Sequence, residues 1–283
     1  MTPDTNDTDD DTDQAHNSSL QFIGTATTLL RFGGFTVLTD PNFLHQGQWS
    51  YFGQGLFSRR RTEPAAQPAD LPPLTAVVLS HLHGDHFDRI ARRELDRDTP
   101  IVTTAHAARS LSRGGFRYPV ALQTWAAETF TDGPATLTVT AVPARHTAGP
   151  LNLLLPRVIG TVLEYRSAPG ATPLRVYVSG DTVMHGELAQ IRDRYPELDV
   201  AVIHLGGTRV LGVLLSMDHK QGVDLIELLG PSVAVPIHYD DYGLFTSPVS
   251  NFLVEVRDRR PDARVRLLRR GDIMALDVSV RTR

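Results

Sequence analysis

Ala76-Val77-Val78-Leu79-Ser80-His81-Leu82-His83-Gly84-Asp85-His86 is the stretch whose reading decides this chain. An apolar run gives way to three histidines and one aspartate within six positions. The run reads as a buried strand, so the cluster stands at its mouth. Several ring nitrogens and a carboxylate gathered there suit a divalent transition metal, zinc first, and more than one ion. An exposed polar turn is the plain alternative. Burying these groups together without a metal would leave a costly, mutually repelling polar site.

Working outward, other short apolar runs read as strands: Ile101–Thr104, Thr136–Val142, Gly160–Tyr165, Leu174–Ser179, Val200–His204 and Val233–Ile237. Upstream, Gly33-Gly34 between Leu29–Phe32 and Phe35–Leu38 signals a hairpin. Helical segments fall between several strands. Ala105–Arg113 ends at Gly114-Gly115, and Gly186–Arg194 stops before Pro196. His219–Leu229 lies between the N-cap candidate Asp218 and Gly230-Pro231, with Gln221 three residues past the cap. A last hairpin is expected from Arg264–Leu268 to Ile273–Asp277. Strands alternating with helices make a layered α/β protein. Residues 20–283 read as one domain. Residues 1–19, rich in Asp with no Lys or Arg, read as a disordered acidic tail.

Composition removes several function classes. The net charge of −4 gives no general attraction to nucleic acid. No apolar run approaches the roughly 20 residues that span a bilayer, and the N-terminus does not read as a signal peptide. Zero cysteines exclude disulfides, thiolate ligands and cysteine nucleophiles. A cytoplasmic enzyme is the expectation.

Three more strand ends carry metal-ligand residue types: His146 after Thr136–Val142, Asp181 after Leu174–Ser179, and His238 after Val233–Ile237. In open α/β sheets, functional groups collect beyond the carboxyl ends of strands. His81-x-His83-x-Asp85-His86, followed in order by His146, Asp181 and His238, resembles the signature of the metallo-β-lactamase superfamily. The resemblance runs from about Phe22 to Met274 and implies a four-layer αββα sandwich with the metal site along one edge. It implies that His81, His83 and His146 bind one ion, that Asp85, His86 and His238 bind a second, and that Asp181 bridges them. Two Zn²⁺ are the default; Mn²⁺ and iron stay open. Asp40, before Pro41, is implied to support the site by hydrogen bonding, against the plain reading of an Asx-turn. Leu38-Thr39-Asp40-Pro41-Asn42-Phe43 and Ser216-Met217-Asp218 resemble the branch holding ascorbate-phosphate lactonase and N-acyl-phosphatidylethanolamine phospholipase D. His219 departs from that branch, where proline often follows the aspartate.

The resemblance implies a hydrolase in which a metal-bridging hydroxide attacks an ester-like substrate, a phosphodiester or a lactone. Formal charges leave such a core at about +1, which favours an anionic small molecule. Asp85, His219 and His204 are the candidates for proton transfer. Trp49, Tyr51, His185 and Tyr239 are candidate substrate contacts, and Leu-rich Pro150–Ile159 is a candidate lid, pocket wall or dimer contact. Arg59-Arg60-Arg61 reads first as a solvated run and second as an anion site. A homo-oligomer stays open. Two other functions stand beside the hydrolase. One is a mononuclear-iron redox enzyme acting on oxygen or a persulfide. The other is a non-enzymatic binding protein that keeps metal for stability.

Overall fold

A computed structural model of the chain describes residues 18–53, 55–147, 152 and 155–276. The acidic tail therefore lies outside the described residues, apart from Ser18 and Ser19. Much of Pro150–Ile159 lies outside them as well.

Strands β1 (Ser19–Gly24), β2 (Thr27–Phe32) and β3 (Phe35–Thr39) form an antiparallel meander. Phe32 pairs with Phe35 across Gly33-Gly34, as the hairpin signal required, and Gly33 takes a φ of +53°. A two-stranded hairpin follows, β4 (Trp49–Tyr51) with β5 (Phe57–Arg59). Next come β6 (Ala76–Val78), helix α1 (Arg89–Glu94), β7 (Ile101–Thr103), helix α2 (Ala105–Arg113) and β8 (Pro119–Ala121). Strands β3, β6, β7 and β8 pair in parallel.

The second half begins with the antiparallel run β9 (Ala127–Asp132), β10 (Ala135–Val142), β11 (Gly160–Arg166) and β12 (Leu174–Val178). Helix α3 (Ala189–Arg194) leads to β13 (Val200–His204), which lies parallel to β12. A small hairpin, β14 (Arg209–Val210) with β15 (Val213–Leu214), precedes helix α4 (His219–Leu229). β16 (Val233–Ile237) then pairs parallel to β13. Helix α5 (Val249–Arg259) and β17 (Ile273–Ala275) complete the described elements.

The strands make one seven-stranded sheet, β17-β1-β2-β3-β6-β7-β8, and one six-stranded sheet, β16-β13-β12-β11-β10-β9. Side chains alternate across a strand, and the burial follows that alternation. Val37, Val78, Val176, Val178, Val200 and Val202 enter one core between the sheets. Leu38, Val77 and Leu79 face the other way, against Ile90 of α1 and Leu111 of α2. Tyr177, Ala201 and Ile203 pack against Ile191, Ile226 and Phe252 of α3, α4 and α5. Strands buried on both faces need helices outside, which is the αββα order of layers.

Local signals account for α4: Asp218 accepts the backbone N–H of Gln221 at 3.2 Å, and Gly230 closes the helix at φ +59°. Two expectations are corrected. Gly186–Leu188 is a tight 3₁₀ turn, and the α-helix starts at Ala189 with no side-chain cap. Arg264–Leu268 does not pair with the residues after Arg270-Gly271-Asp272. Val265 instead bridges Ala234 of β16, and β17 pairs with β1. Each partner is a sheet edge with free backbone groups, which a local hairpin would have left unpaired. Among the described residues no helix is long and apolar enough to cross a membrane.

Candidate metal centre

Both sheets send strand ends to the same edge. β3 delivers Asp40, and β6 delivers Ser80 and the cluster His81–His86. β10 leads to His146, β12 to Asp181, β13 ends at His204 and β16 leads to His238. Two of these positions carry left-handed backbone, Asp40 at φ +37° and His238 at φ +62°. Non-glycine residues hold such angles only where their surroundings fix them. Here Thr27 Oγ1 donates to the Asp40 carbonyl at 2.8 Å, and the His238 N–H donates to the Thr25 carbonyl at 2.9 Å.

His81, His83 and His146 each offer one ligand atom within 4.8 Å of the others. Asp85, His86, Asp181 and His238 make a second group on the same criterion, and Asp40, His86 and His204 a third. The structure thus brings together all seven residues expected to bind metal, in two adjoining sets. The sets differ electrically. Burial holds the His81 ring well below its usual range and lowers His83; His146 is lowered to about 4. These rings stay neutral and keep a lone pair. His146 Nδ1 donates to the Leu215 carbonyl at 3.3 Å, which leaves Nε2 free. Around His86 the balance reverses. Burial disfavours its charged form, but Asp181, Asp85 and Asp40 outweigh it and push the ring well above its usual range. The second set is therefore a buried place that favours positive charge.

Five buried atoms of these sets have no hydrogen-bond partner: His146 Nε2, His86 Nε2, Asp85 Oδ1, Asp181 Oδ1 and His238 Nδ1. Buried polar atoms are rarely left so. One such orphan in the first set and four in the second, with imidazole and carboxylate donors, fit divalent metal of the zinc type.

Asp40 stands behind His86. Its Oδ1 accepts the Ser80 N–H at 2.7 Å and the Ser80 hydroxyl at 3.0 Å, while Oδ2 lies 3.1 Å from His86 Nδ1. Burial would raise this carboxyl, but His86 and His204 bring it down to about 2. An ionised Asp40 keeps the hydrogen of His86 on Nδ1 and leaves Nε2 toward the second set.

The other candidates fall in different places. His204 is fully buried beside Asp40, and His219 bonds Ser247 Oγ through its backbone N–H at 2.8 Å and its Nδ1 at 3.2 Å. His185 is half-buried near Arg145, and burial with that arginine lowers it to about 4. Tyr239 packs toward the helical layer on the second sheet; burial and Asp240 push it up to about 12. Trp49 and Tyr51 are about half exposed on the outward face of the β4–β5 hairpin. At the turn of that hairpin, a Cβ added to Gly53 would stand 3.4 Å from His83 Nε2, and Phe52 precedes it. Phe52 packs on Phe245, whose ring lies 4.3 Å from that of His238.

Sequence reasoning missed the network that fixes this hairpin. Arg60 is fully buried; it donates to the Asn42 carbonyl at 2.8 Å and lies 3.5 Å from Asp241 Oδ1. Asn42 donates to the Gly84 carbonyl at 2.8 Å and accepts the Tyr242 hydroxyl at 3.0 Å. Asp241 accepts the Thr25 N–H at 3.0 Å. Asp88 accepts from Phe43, Leu44 and Ala91 backbone amides. Only Asp88 had a readable signal, as an N-cap two residues after the cluster.

Comparison with known proteins agrees with this geometry. Residues 36–239 match the family model described as beta-lactamase superfamily domain. The chain is 28% identical over 241 residues to an uncharacterized protein of Mycobacterium tuberculosis, covering 83% of this chain and 62% of that one. It is 24% identical over 257 residues to a UPF0173 metal-dependent hydrolase of Pyrococcus abyssi, covering 91% and 99%. Among solved structures, an isothiocyanate hydrolase from Delia radicum gut bacteria superposes with a TM-score of 0.77 at 21% identity, covering 91% of this chain and 98% of that one.

Proposed function

The chain belongs to the beta-lactamase superfamily, and from that premise we propose that it is a metal-dependent hydrolase with two zinc ions, acting on an ester-like small molecule. One observation carries the reading: two adjoining buried donor sets, one of three neutral imidazoles and one rich in carboxylate, share one edge of the sandwich. The name of the Pyrococcus relative, a metal-dependent hydrolase, supports the reaction class.

His81, His83 and His146 would hold one ion, and Asp85, His86, His238 and Asp181 the other, Asp181 being the carboxylate the resemblance implies would serve both. When bound, such a pair supplies an activated water at neutral pH and stabilises the negative charge that develops on the substrate. The remaining work belongs to the chain. Asp40 and Ser80 orient His86. Asp85 is the carboxylate placed to accept and return a proton, with Oδ2 3.1 Å from His238 Nε2 and Oδ1 free. His204 is enclosed behind Asp40 and His219 is engaged with Ser247, so neither is favoured as the acid. Gly53, Phe52 and Phe245 form an apolar wall beside both sets. Trp49 and Tyr51 would meet only a substrate portion that extends past this wall. The phosphodiester and lactone classes fit equally, and the lactonase-like branch stays part of the proposal.

The test is metal counting with turnover. The purified chain should hold two zinc ions, lose hydrolysis of a lactone and phosphodiester panel on chelation, and regain it with zinc. Full turnover by a metal-free His83→Ala, Asp181→Ala double variant would overturn the proposal. One iron per chain with turnover of oxygen or a persulfide would replace it with the redox reading.

A further inference from the structure

Resting on the two-ion hydrolase reading, we propose that His204 is a positioning residue, a clasp between the two sheets that fixes Asp40 and through it His86. His204 ends β13, between β12 and β16, while Asp40 follows β3 in the other sheet. Both side chains are buried. His204 Nε2 lies 3.6 Å from Asp40 Oδ2, the same oxygen that stands 3.1 Å from His86 Nδ1. At 3.6 Å the contact is electrostatic rather than a tight hydrogen bond.

The two sides of the ring together set its polarity. Ser179 Oγ accepts the backbone N–H of His204 at 3.0 Å, lies 3.1 Å from His204 Nδ1 and lies 2.9 Å from the Gly180 carbonyl. A neutral ring with its lone pair toward the Asp40 carboxylate would be repelled, so the carboxylate selects hydrogen on Nε2, and the Ser179 hydroxyl then turns from Gly180 to Nδ1. Asp40 is then met by Ser80 N–H, Ser80 Oγ and His86 Nδ1 from its own sheet's side of the site. Among the described residues, what faces it from the second sheet is His204 Nε2, at the longer 3.6 Å and with no closer hydrogen-bond partner. The His204 and His86 rings lie nearly parallel, 13° between planes and 5.8 Å between centroids, so the carboxylate is gripped from two stacked rings. The strained φ of Asp40 is what such a grip would hold in place. A third ion held by Asp40, His86 and His204 is the competing use of the same atoms.

The experiment compares wild type, His204→Ala and His204→Gln in the full chain, titrated with zinc against a chromophoric chelator. Gln retains an N–H donor near the position of Nε2. Wild type should take up two zinc ions. In His204→Ala one of the two affinities should fall about 10–100-fold and the other should stay within about a factor of two, and His204→Gln should recover most of the loss. Proton NMR of wild type, with and without zinc, should show the His86 Nδ1–H as a far-downfield, slowly exchanging signal; in His204→Ala it should move upfield and exchange faster. Equal weakening of both ions, two unchanged affinities, or loss of a third ion in His204→Ala would each overturn the clasp. Uptake of no zinc by wild type would overturn the two-ion reading. The Nδ1–H signal of metal-free wild type and metal-free His204→Ala would then still decide the clasp, and identical signals in the two would overturn it.

Discussion

Gly180 precedes Asp181 at φ +59°, and a Cβ there would stand 2.8 Å from the Ile159 carbonyl and 2.9 Å from Ser80 Cβ. Gly180→Ala combines left-handed strain with a collision against the strand that carries Ser80. It should cost about 1–3 kcal/mol in urea unfolding and displace Asp181 enough to lose one zinc ion by metal analysis. Asp85→Asn tests chemistry rather than shape. It keeps the side-chain volume while removing a carboxylate proposed both for proton transfer and for the second ion, so at saturating zinc kcat in the hydrolysis panel should fall by roughly 10²–10⁴, while the urea midpoint of the chelated chain should be little changed. The two residues also mark what could be read in advance. Asp85 announces itself because four ligand residues, three histidines and itself, crowd into His81–His86. Asp40 was readable through the strand that ends at it. His204 was readable as a strand-end histidine, but its partner Asp40 lies far back in the chain, and nothing local shows that approach. Arg60 was the least readable. Within Arg59-Arg60-Arg61 the outer two are exposed and the middle one is buried, because alternation along β5 and past its end turns one arginine inward. Composition alone marks all three as solvated.

The β4–β5 hairpin is the element through which that buried arginine acts. Gly84 N–H donates to the Tyr51 carbonyl at 2.8 Å, Arg60 holds Asn42 and Asp241, and Arg61 N–H donates to the Asp241 carbonyl at 2.7 Å. Arg60→Met takes one of two arginines from Asp241, which keeps Arg270 at 3.1 Å, and one donor from buried Asn42. The loss should cost about 1–3 kcal/mol and appear as a lower urea midpoint. The same network carries a pH dependence. Burial opposes ionisation of Asp241, but Arg270 and Arg60 hold its carboxyl below the usual 3.8. A depressed folded pKa means stability that is present above about pH 4 and lost as pH falls below it. Burial and Asp241 push the adjacent Asp240 the other way, so single-site comparison is needed. Asp241→Asn should be less stable than wild type at pH 7, and the gap should narrow toward pH 3 in thermal melts. A constant gap across that range would remove Asp241 from the acid dependence. Elements with strong local signals, such as α4 with its Asp218 and Gly230 caps, were legible. The β4–β5 hairpin read only as a loop, since its three-residue strands are too short to show periodicity. β17 was read as half of a local hairpin, because sequence shows a turn but not the free edge of β1 that competes for the strand.

Across the whole molecule, the metal sets join what the core keeps apart. Residues of the first sheet, His81, His83, Asp85 and His86, meet His146, Asp181 and His238 of the second, and no segment of the unfolded chain can reproduce that meeting. Metal bound this way acts almost wholly on the folded state, so binding free energy appears as folding free energy. At free zinc about 1,000 times a site's Kd, each site adds about 4 kcal/mol, or a rise of roughly 10 °C in melting temperature for a chain of this size. Chelation should remove that rise, and zinc should restore it. His83→Ala should abolish the part due to the imidazole set, and Asp181→Ala the part due to the carboxylate-rich set to which Asp181 belongs. The fold itself does not depend on the ions in the same degree. The inter-sheet core of Val37, Val78, Val139, Val176, Val202 and Val235 is apolar and continuous up to the edge where the ligands begin. The chelated chain should therefore keep its far-ultraviolet circular dichroism and a cooperative, lower melt. Loss of both on chelation would mean that the ions, rather than the valine core, hold the two sheets together.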